Sequence, residues 1–166
     1  MKTFIIPPSM LFAEQLPGLS ELPEAEISLP GRKSARVRLS GLCQSELIIS
    51  VEDVLDVNVP HIFSGGTPFR SVRKLTARFG EGTSHQVNWW TLDALKIIGG
   101  VEVLEVVGDC IGFLLVWRGK VKYHRICPSL HRLTICGGMR CRTELSALAD
   151  IRNSVGLPLI VTYESV

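Results

Sequence analysis

The stretch that decides the fold prediction is residues 101–136, VEVLEVVGDCIGFLLVWRGKVKYHRICPSLHRLTIC. Apolar runs at 101–107, 111–117, 120–126 and 132–136 are typical of strands in quick succession. The pair Arg118-Gly119 between two of these runs indicates a two-residue hairpin turn. Strands in meander order, with helices grouped around them, favour an α+β fold over a doubly wound parallel sheet. We therefore predict a largely antiparallel sheet with three or four helices packed on it.

The flanking sequence adds further elements to this core. Period-two patterns predict strands at 35–39 and 46–50, and shorter signals predict strands at 3–6 and 159–163. Cap residues predict helices over 51–56, 68–79, 91–98 and 144–154, with a helical turn at 9–16. We find no internal repeat. Residues 1–30 form an acidic, irregular lead-in with three prolines after residue 16, and we place it in the same single domain as residues 31–166.

Composition limits the class of protein. A chain of 166 residues buries about 68–70% of its unfolded surface, so it needs no disulfide or metal for stability. Its apolar runs are shorter than the ~20 residues of a membrane span, and Pro7-Pro8 interrupts the only stretch that resembles a signal peptide. Five cysteines without a framework spacing suit a reducing compartment. We expect a cytoplasmic protein that contacts no membrane.

The charge distribution is uneven although the net charge is only +2. Fifteen of the eighteen Lys and Arg residues fall in three blocks without Asp or Glu, at 30–45, 57–80 and 110–143. In the middle block, Arg70, Arg73, Lys74 and Arg78 share one arc of the helix predicted over 68–79, opposite an apolar arc. Together with Arg36 and Arg38 on a predicted strand, they are the candidate nucleic-acid-binding residues. The alternative is that these are ordinary solvated faces.

A cysteine loop suggests catalysis. Cys136 and Arg142 are separated by five residues, and Thr143 follows, which is the C-x5-R-[ST] spacing of cysteine-dependent phosphatases. In such a loop the backbone amides and the Arg hold phosphate while a thiolate attacks phosphorus. Asp109 is the only nearby candidate for the general acid. The alternative is a tight turn that follows a buried strand residue.

The same region contains soft metal ligands, namely His124, Cys127, His131, Cys136 and Cys141. Their spacing lacks the two-residue Cys knuckles of a structural zinc site, so we predict no metal. No Rossmann glycine pattern, Walker loop or paired-His helix is present, and we expect no cofactor.

Three function classes remain open. The first is a non-enzymatic nucleic-acid-binding or regulatory protein that uses the basic helix. The second is a protein–protein interaction module, either a homodimer or an adaptor, since a 46% apolar composition leaves apolar surface for a partner. The third is a small phosphatase-like enzyme at Cys136 and Arg142. We favour the first class, with another anionic surface as the alternative to nucleic acid.

Overall fold

The computed structural model describes residues 2–6, 24–29, 35–40, 45–51, 71–120, 126–137 and 141–164. The helices predicted at 9–16 and 51–56, and the strand predicted at 120–126, fall largely outside these residues. The described strands are β1 (Lys2–Ile6), β2 (Glu24–Leu29), β3 (Ala35–Ser40), β4 (Ser45–Val51), β5 (Lys74–Phe79), β6 (Val103–Gly108), β7 (Arg132–Cys136) and β8 (Ile160–Glu164). The described helices are α1 (His85–Ile98), α2 (Ile111–Lys120) and α3 (Arg142–Ser154).

All eight strands join one sheet in the order β1-β4-β3-β2-β5-β6-β7-β8. Only β3 runs antiparallel to its neighbours, and every other pairing within the described residues is parallel. The predicted antiparallel α+β meander over 101–136 is therefore wrong. The protein has an α/β-like arrangement in which α1, α2 and α3 each connect two adjacent parallel strands.

The error has its origin in the apolar run at 111–117, which forms the helix α2 rather than a strand. A short apolar run is ambiguous, because a buried helix and a buried strand have the same composition. The predicted hairpin at Arg118-Gly119 is likewise wrong, since both residues belong to α2. Parallel strands require a crossover connection, and α2 supplies the one between β6 and β7.

The basic helix predicted over 68–79 is also wrong where the structure describes it. Residues 74–79 form β5, a central strand between β2 and β6. Leu75, Ala77 and Phe79 are buried on one face, while Lys74 and Arg78 are exposed on the other. The segment therefore has a period of two, and its pairing on both sides overrides the helical pattern.

Other predictions are confirmed. Strands lie at or beside the predicted positions 3–6, 35–39, 46–50, 101–107, 132–136 and 159–163. The helix predicted at 91–98 is α1, which begins earlier because Ser84 caps it by accepting a hydrogen bond from the backbone of Val87. The helix predicted at 144–154 is α3. Part of the lead-in is regular, since residues 24–29 form β2.

The second half of the chain is a structural repeat that the sequence analysis missed. Lys74, Val103, Arg132 and Ile160 are neighbours across β5 to β8, so equivalent strand positions recur at nearly equal intervals along the chain. The first three units share a pattern of buried apolar residues: Val72-x-x-Leu75-x-Ala77, Val101-x-x-Leu104-x-Val106 and Leu130-x-x-Leu133-x-Ile135. Each unit thus contributes one strand that packs beside the preceding one.

The core lies between the helices and one face of this sheet. The ring of Phe113 on α2 contacts Phe79 at 5.1 Å between centroids and Trp117 at 5.6 Å, which ties α2 to β5. A second anchor is Arg152 on α3, whose side chain is fully buried. It donates hydrogen bonds to the carbonyl oxygens of Ile126, Cys127 and Leu130 in the loop before β7. The described helices consequently pack on one face of the sheet, in its second half.

Candidate binding surface

The opposite face of the sheet carries polar side chains and, within the described residues, no helix packs on it. Strand alternation places apolar residues toward the helices and polar residues away from them. We call this surface the open face. On β3, β2 and β5 it consists of Arg36, Arg38, Ser40, Glu24, Glu26, Ser28, Lys74, Thr76 and Arg78, and on β6 to β8 of Val103, Glu105, Val107, Arg132, Thr134, Cys136, Ile160, Thr162 and Glu164.

The strand register fixes rows of neighbours across the open face. The central row crosses six strands in the order Arg38, Glu26, Thr76, Glu105, Thr134 and Thr162. At about 4.8 Å between strands, the row spans about 24 Å. Thr134 and Thr162 are joined by a hydrogen bond of 2.9 Å between their hydroxyls. The open face therefore combines charged groups at β3, β2 and β5 with hydroxyl groups at β7 and β8.

Charges of both signs alternate on this surface. Glu26 accepts a hydrogen bond of 3.0 Å from the Arg78 guanidinium and another from the Ser28 hydroxyl. Partial burial acts to raise the pKa of Glu26, but these hydrogen bonds and the positive charges of Arg78 and Arg38 outweigh it, so the pKa is lowered. The same pair raises the pKa of Arg78. Glu26 is therefore a fixed anion between two arginines.

A polar hollow of about 300 Å³ lies beside this pair. Its lining comes from β2, β3 and β5: Glu24, Ala25, Glu26, Arg38, Ser40, Lys74 and Thr76. Glu24 and Lys74 lie opposite one another in the strand register, yet no ion pair joins them in the described part of the chain. The hollow thus offers a carboxylate and an ammonium group to a partner.

The six residues predicted to bind nucleic acid are distributed differently from the prediction. Arg70 lies outside the described residues. Arg73 precedes β5 and forms an ion pair with Glu102 at 3.4 Å. Lys74 and Arg78 lie on the open face, as do Arg36 and Arg38 two strands away, with Glu24 and Glu26 on β2 between them. A sheet face, rather than a helix, brings four of the six together.

Cys136, the candidate nucleophile, lies on the open face between two carboxylates. Its thiol is 3.7 Å from Glu105 and 3.7 Å from Glu164, and the residue is 7% exposed. Burial and both negative charges raise the pKa of the Cys136 thiol. Reactive cysteines require the opposite, an electropositive environment that stabilises the thiolate. The surroundings of Cys136 therefore disfavour phosphatase chemistry.

The other two catalytic candidates do not join Cys136 in a site. The Arg142 guanidinium lies over the ring of Tyr163, 5.2 Å from its centroid. Asp109 is exposed after the end of β6, and it makes no hydrogen bond with either residue within the described part of the chain. Among the described residues, Cys136, Arg142 and Asp109 therefore do not converge as the nucleophile, anion-binding group and acid that phosphoryl transfer needs.

The metal-ligand candidates also diverge. The Cys127 thiol donates to the carbonyl of Leu95, and burial raises its pKa to about 12. Cys141 contacts Cys110 with 3.4 Å between their sulfurs, while His131 is exposed. His124 lies outside the described residues. Within the ranges that the structure describes, no three His, Cys, Asp or Glu side chains are grouped to hold a metal ion.

Sequence reasoning missed Glu105 and Glu164, which flank Cys136. Glu105 lies in an apolar run that predicts a strand, but the run itself does not reveal which strands lie beside it. The available signal was the repeated spacing of Leu75, Leu104 and Leu133, which aligns β5, β6 and β7 and predicts their register.

Comparison of the chain with known protein families, with curated proteins and with solved structures finds no match in any of the three. In the described residues, no helix has both the length and the apolar character that a membrane span requires.

Proposed function

We propose that this protein is a non-enzymatic protein-binding module that uses the open face of its sheet. The observation that carries the proposal is the contrast between the two faces of one parallel sheet. The helices pack on one face, whereas the other carries charged and hydroxyl side chains in register across six strands, with Val103, Val107, Cys136 and Ile160 among them. Parallel strands are usually covered on both faces, so a polar face on which no helix of the described residues packs is the natural place for a partner.

The repeat supports the same proposal. The interval between aligned strand positions is nearly constant, and it lies within the period of roughly 20–29 residues that leucine-rich repeats have. The buried pattern of an apolar residue, two residues, Leu, one residue and a second apolar residue resembles the L-x-x-L-x-L of those repeats, and so does the strand–helix layout. Stacked units of this kind build extended binding surfaces, because each strand adds its outward side chains to a common face. This resemblance concerns the pattern alone, and the residues on the open face define what this chain can bind.

The charge pattern favours a protein over nucleic acid. A nucleic-acid surface gains affinity by neutralising phosphates with a continuous cationic patch. Here Glu24, Glu26, Glu105 and Glu164 are interspersed among the four arginines and one lysine of the open face. A surface with charges of both signs is specific for a partner with the complementary pattern. Its glutamates also repel the phosphates of a nucleic-acid strand.

The proposal is tested by quantitative affinity capture from an extract of the source cells. The variant Lys74→Glu/Arg132→Glu reverses two exposed charges on the open face, neither of which forms an ion pair in the described part of the chain. The control is Lys96→Glu/Arg142→Glu, which reverses two exposed cations on the helices, of which Lys96 pairs with Asp93 and Arg142 lies over the Tyr163 ring. We expect partner proteins that the wild type and the control retain and the open-face variant loses.

The same variants decide between partner classes. Fluorescence anisotropy with labelled DNA and RNA at low and moderate salt should give no saturable binding. Binding that falls steeply with salt and is lost in the open-face variant would replace the proposal with the nucleic-acid alternative. Equal loss of captured proteins in both double variants would refute the open face as the binding surface.

A further inference from the structure

A second surface feature lies on the helical side of the molecule, between α1 and α2. It is a groove of about 310 Å³ lined by His85, Trp89, Gly112, Leu115, Val116, Gly119 and Lys120. Its volume is at the lower end of the range for ligand-binding clefts, which is enough for one or two large side chains. The lining is mostly apolar, in contrast to the polar hollow on the open face.

The sequence of α2 creates the groove. Gly112, Leu115, Val116 and Gly119 lie at positions i, i+3, i+4 and i+7, so they share one side of the helix. A Cβ at Gly119 would meet no atom within 4 Å among the described residues, and Gly112 allows the Asn88 amide of α1 to approach closely. Gly119 thus opens one end of a notch around Leu115, whereas the Asn88 amide fills the space beside Gly112.

The apolar surface that α2 exposes around Leu115 is unusual for a helix. A helix that is apolar on all sides is normally buried, and α2 has no charged residue before Arg118. Yet Leu115 is 43% exposed, the only large hydrophobic residue of α2 exposed to this extent. A partner that covers Leu115 would remove this apolar surface from water.

The charged groups at the groove indicate what kind of partner fits. The Lys120 ammonium lies over the ring of Trp89, 5.2 Å from its centroid, and the Trp89 indole N–H donates to His85 Nε2 at 2.7 Å. Among the described residues that line the groove, Lys120 is the only permanently charged one and none is a carboxylate. A partner that fits the groove therefore has an apolar side chain, which contacts Leu115 and Val116, next to a negatively charged group, which pairs with Lys120.

We infer that this groove binds an acidic segment of a partner protein, which inserts a leucine or aromatic side chain between α1 and α2 and places a carboxylate at Lys120. The inference concerns a second site, on the other side of the sheet from the open face, and it does not depend on the proposed function. Apolar anchors flanked by charge are a common mode of peptide recognition in helical grooves.

The three tryptophans provide the test. In a 15N-labelled full chain, each indole N–H gives one NMR signal, and substitution of each Trp by Phe assigns it. The probes are three blocked tetrapeptides, Asp-Leu-Phe-Glu, Lys-Leu-Phe-Lys and Asp-Ser-Ser-Glu. We expect only the first to shift the Trp89 signal in a saturable manner, while the buried Trp117 signal stays in place.

Two variants locate the binding. Gly119→Leu places a side chain in the groove, where its Cβ meets no described atom within 4 Å, and Leu favours the helix more than Gly does. We therefore expect this variant to stay folded, which thermal melting checks, and to lose binding. Ser146→Leu adds the same side chain at an exposed position of α3 and should bind as the wild type does. Lys120→Glu should weaken binding of the acidic peptide by about fivefold, which is the upper range for an exposed ion pair.

Several results would overturn the inference. These are absence of any Trp89 shift with the acidic apolar peptide, equal shifts with all three peptides, or equal affinity for the basic peptide. Retention of binding in Gly119→Leu, or its loss in Ser146→Leu, would place the peptide elsewhere and would also overturn it.

Discussion

The buried side chain of Arg152 allows a quantitative prediction about the free energy of unfolding. Its guanidinium is fully buried on α3 and donates to three backbone carbonyl oxygens, those of Ile126 at 3.0 Å, Cys127 at 3.2 Å and Leu130 at 2.9 Å. Within the described residues its hydrogen-bond partners are these carbonyls alone, and its Nε has no partner. Burial accordingly lowers the pKa of Arg152.

The effect of Arg152→Met follows from these contacts. Hydrogen bonds from a charged donor contribute about 1.5–3 kcal/mol each, so three give roughly 4.5–9 kcal/mol. Burying the guanidinium without a carboxylate beside it has a desolvation cost that offsets several kcal/mol of this gain. Met also regains part of the apolar contact that the Arg152 side chain makes. We therefore expect the free energy of unfolding to fall by about 2–4 kcal/mol, a large part of the ~5–15 kcal/mol of a typical domain.

The assay is urea unfolding followed by fluorescence of the buried tryptophans, supported by thermal melting. For a domain of this size the loss corresponds to a melting temperature lower by roughly 4–16 °C. Arg142→Met is the control, because Arg142 lies on the same helix but is exposed. A loss below ~1 kcal/mol for Arg152→Met, or a loss equal to that of the control, would refute the role assigned to the buried guanidinium.

Three further predictions concern the sheet. Cys136 should react slowly with iodoacetamide at neutral pH, as measured by peptide mass spectrometry. Replacing Glu105 and Glu164 by glutamine should accelerate the reaction, because both carboxylates raise the pKa of the thiol. An unchanged rate in this variant would contradict the prediction. Gly108→Ala should cost about 3 kcal/mol in urea unfolding, since its φ is +91° and a Cβ would lie 2.1 Å from the Phe79 carbonyl oxygen, whereas Gly119→Ala should be neutral or stabilising. Because the pKa of Glu26 is lowered in the folded protein, the ionised carboxylate stabilises the fold above its unfolded pKa, and this stabilisation is lost as the pH falls through the folded pKa. Glu26→Gln should therefore reduce the free energy of unfolding in urea by up to about 1 kcal/mol at neutral pH, but not near pH 3. An equal reduction at both pH values would rule this out.

The local elements were more predictable from the sequence than their connections. Caps and periodicity located α3 and the second half of α1, because Gly99 marks the end of α1 through local chemistry, but the Ser84 cap that begins α1 was missed. The run at 111–117 could not be assigned by the same means, since its apolar residues satisfy a buried helix and a buried strand equally. That one assignment changed the predicted sheet from parallel to antiparallel.

The candidate site was predictable only in part. Exposed Arg36 and Arg38 were correctly placed on one strand face, because a period of two is a local property. The position of Glu24 and Glu26 between Arg38 and Arg78 depends on β2 pairing with both β3 and β5, which are distant in sequence. Without knowledge of that pairing, the basic residues indicated a purely cationic surface, whereas the folded surface combines them with glutamates.

The open face as the partner-binding surface is tested most directly by carboxyl footprinting of the protein with and without a captured partner. We predict that Glu24 and Glu164, which are exposed on the open face, are protected from carbodiimide labelling in the complex. Asp150, exposed on α3, should remain fully labelled. Protection of Asp150 with unchanged labelling of Glu24 and Glu164 would contradict the central claim and move the principal binding surface to the helices.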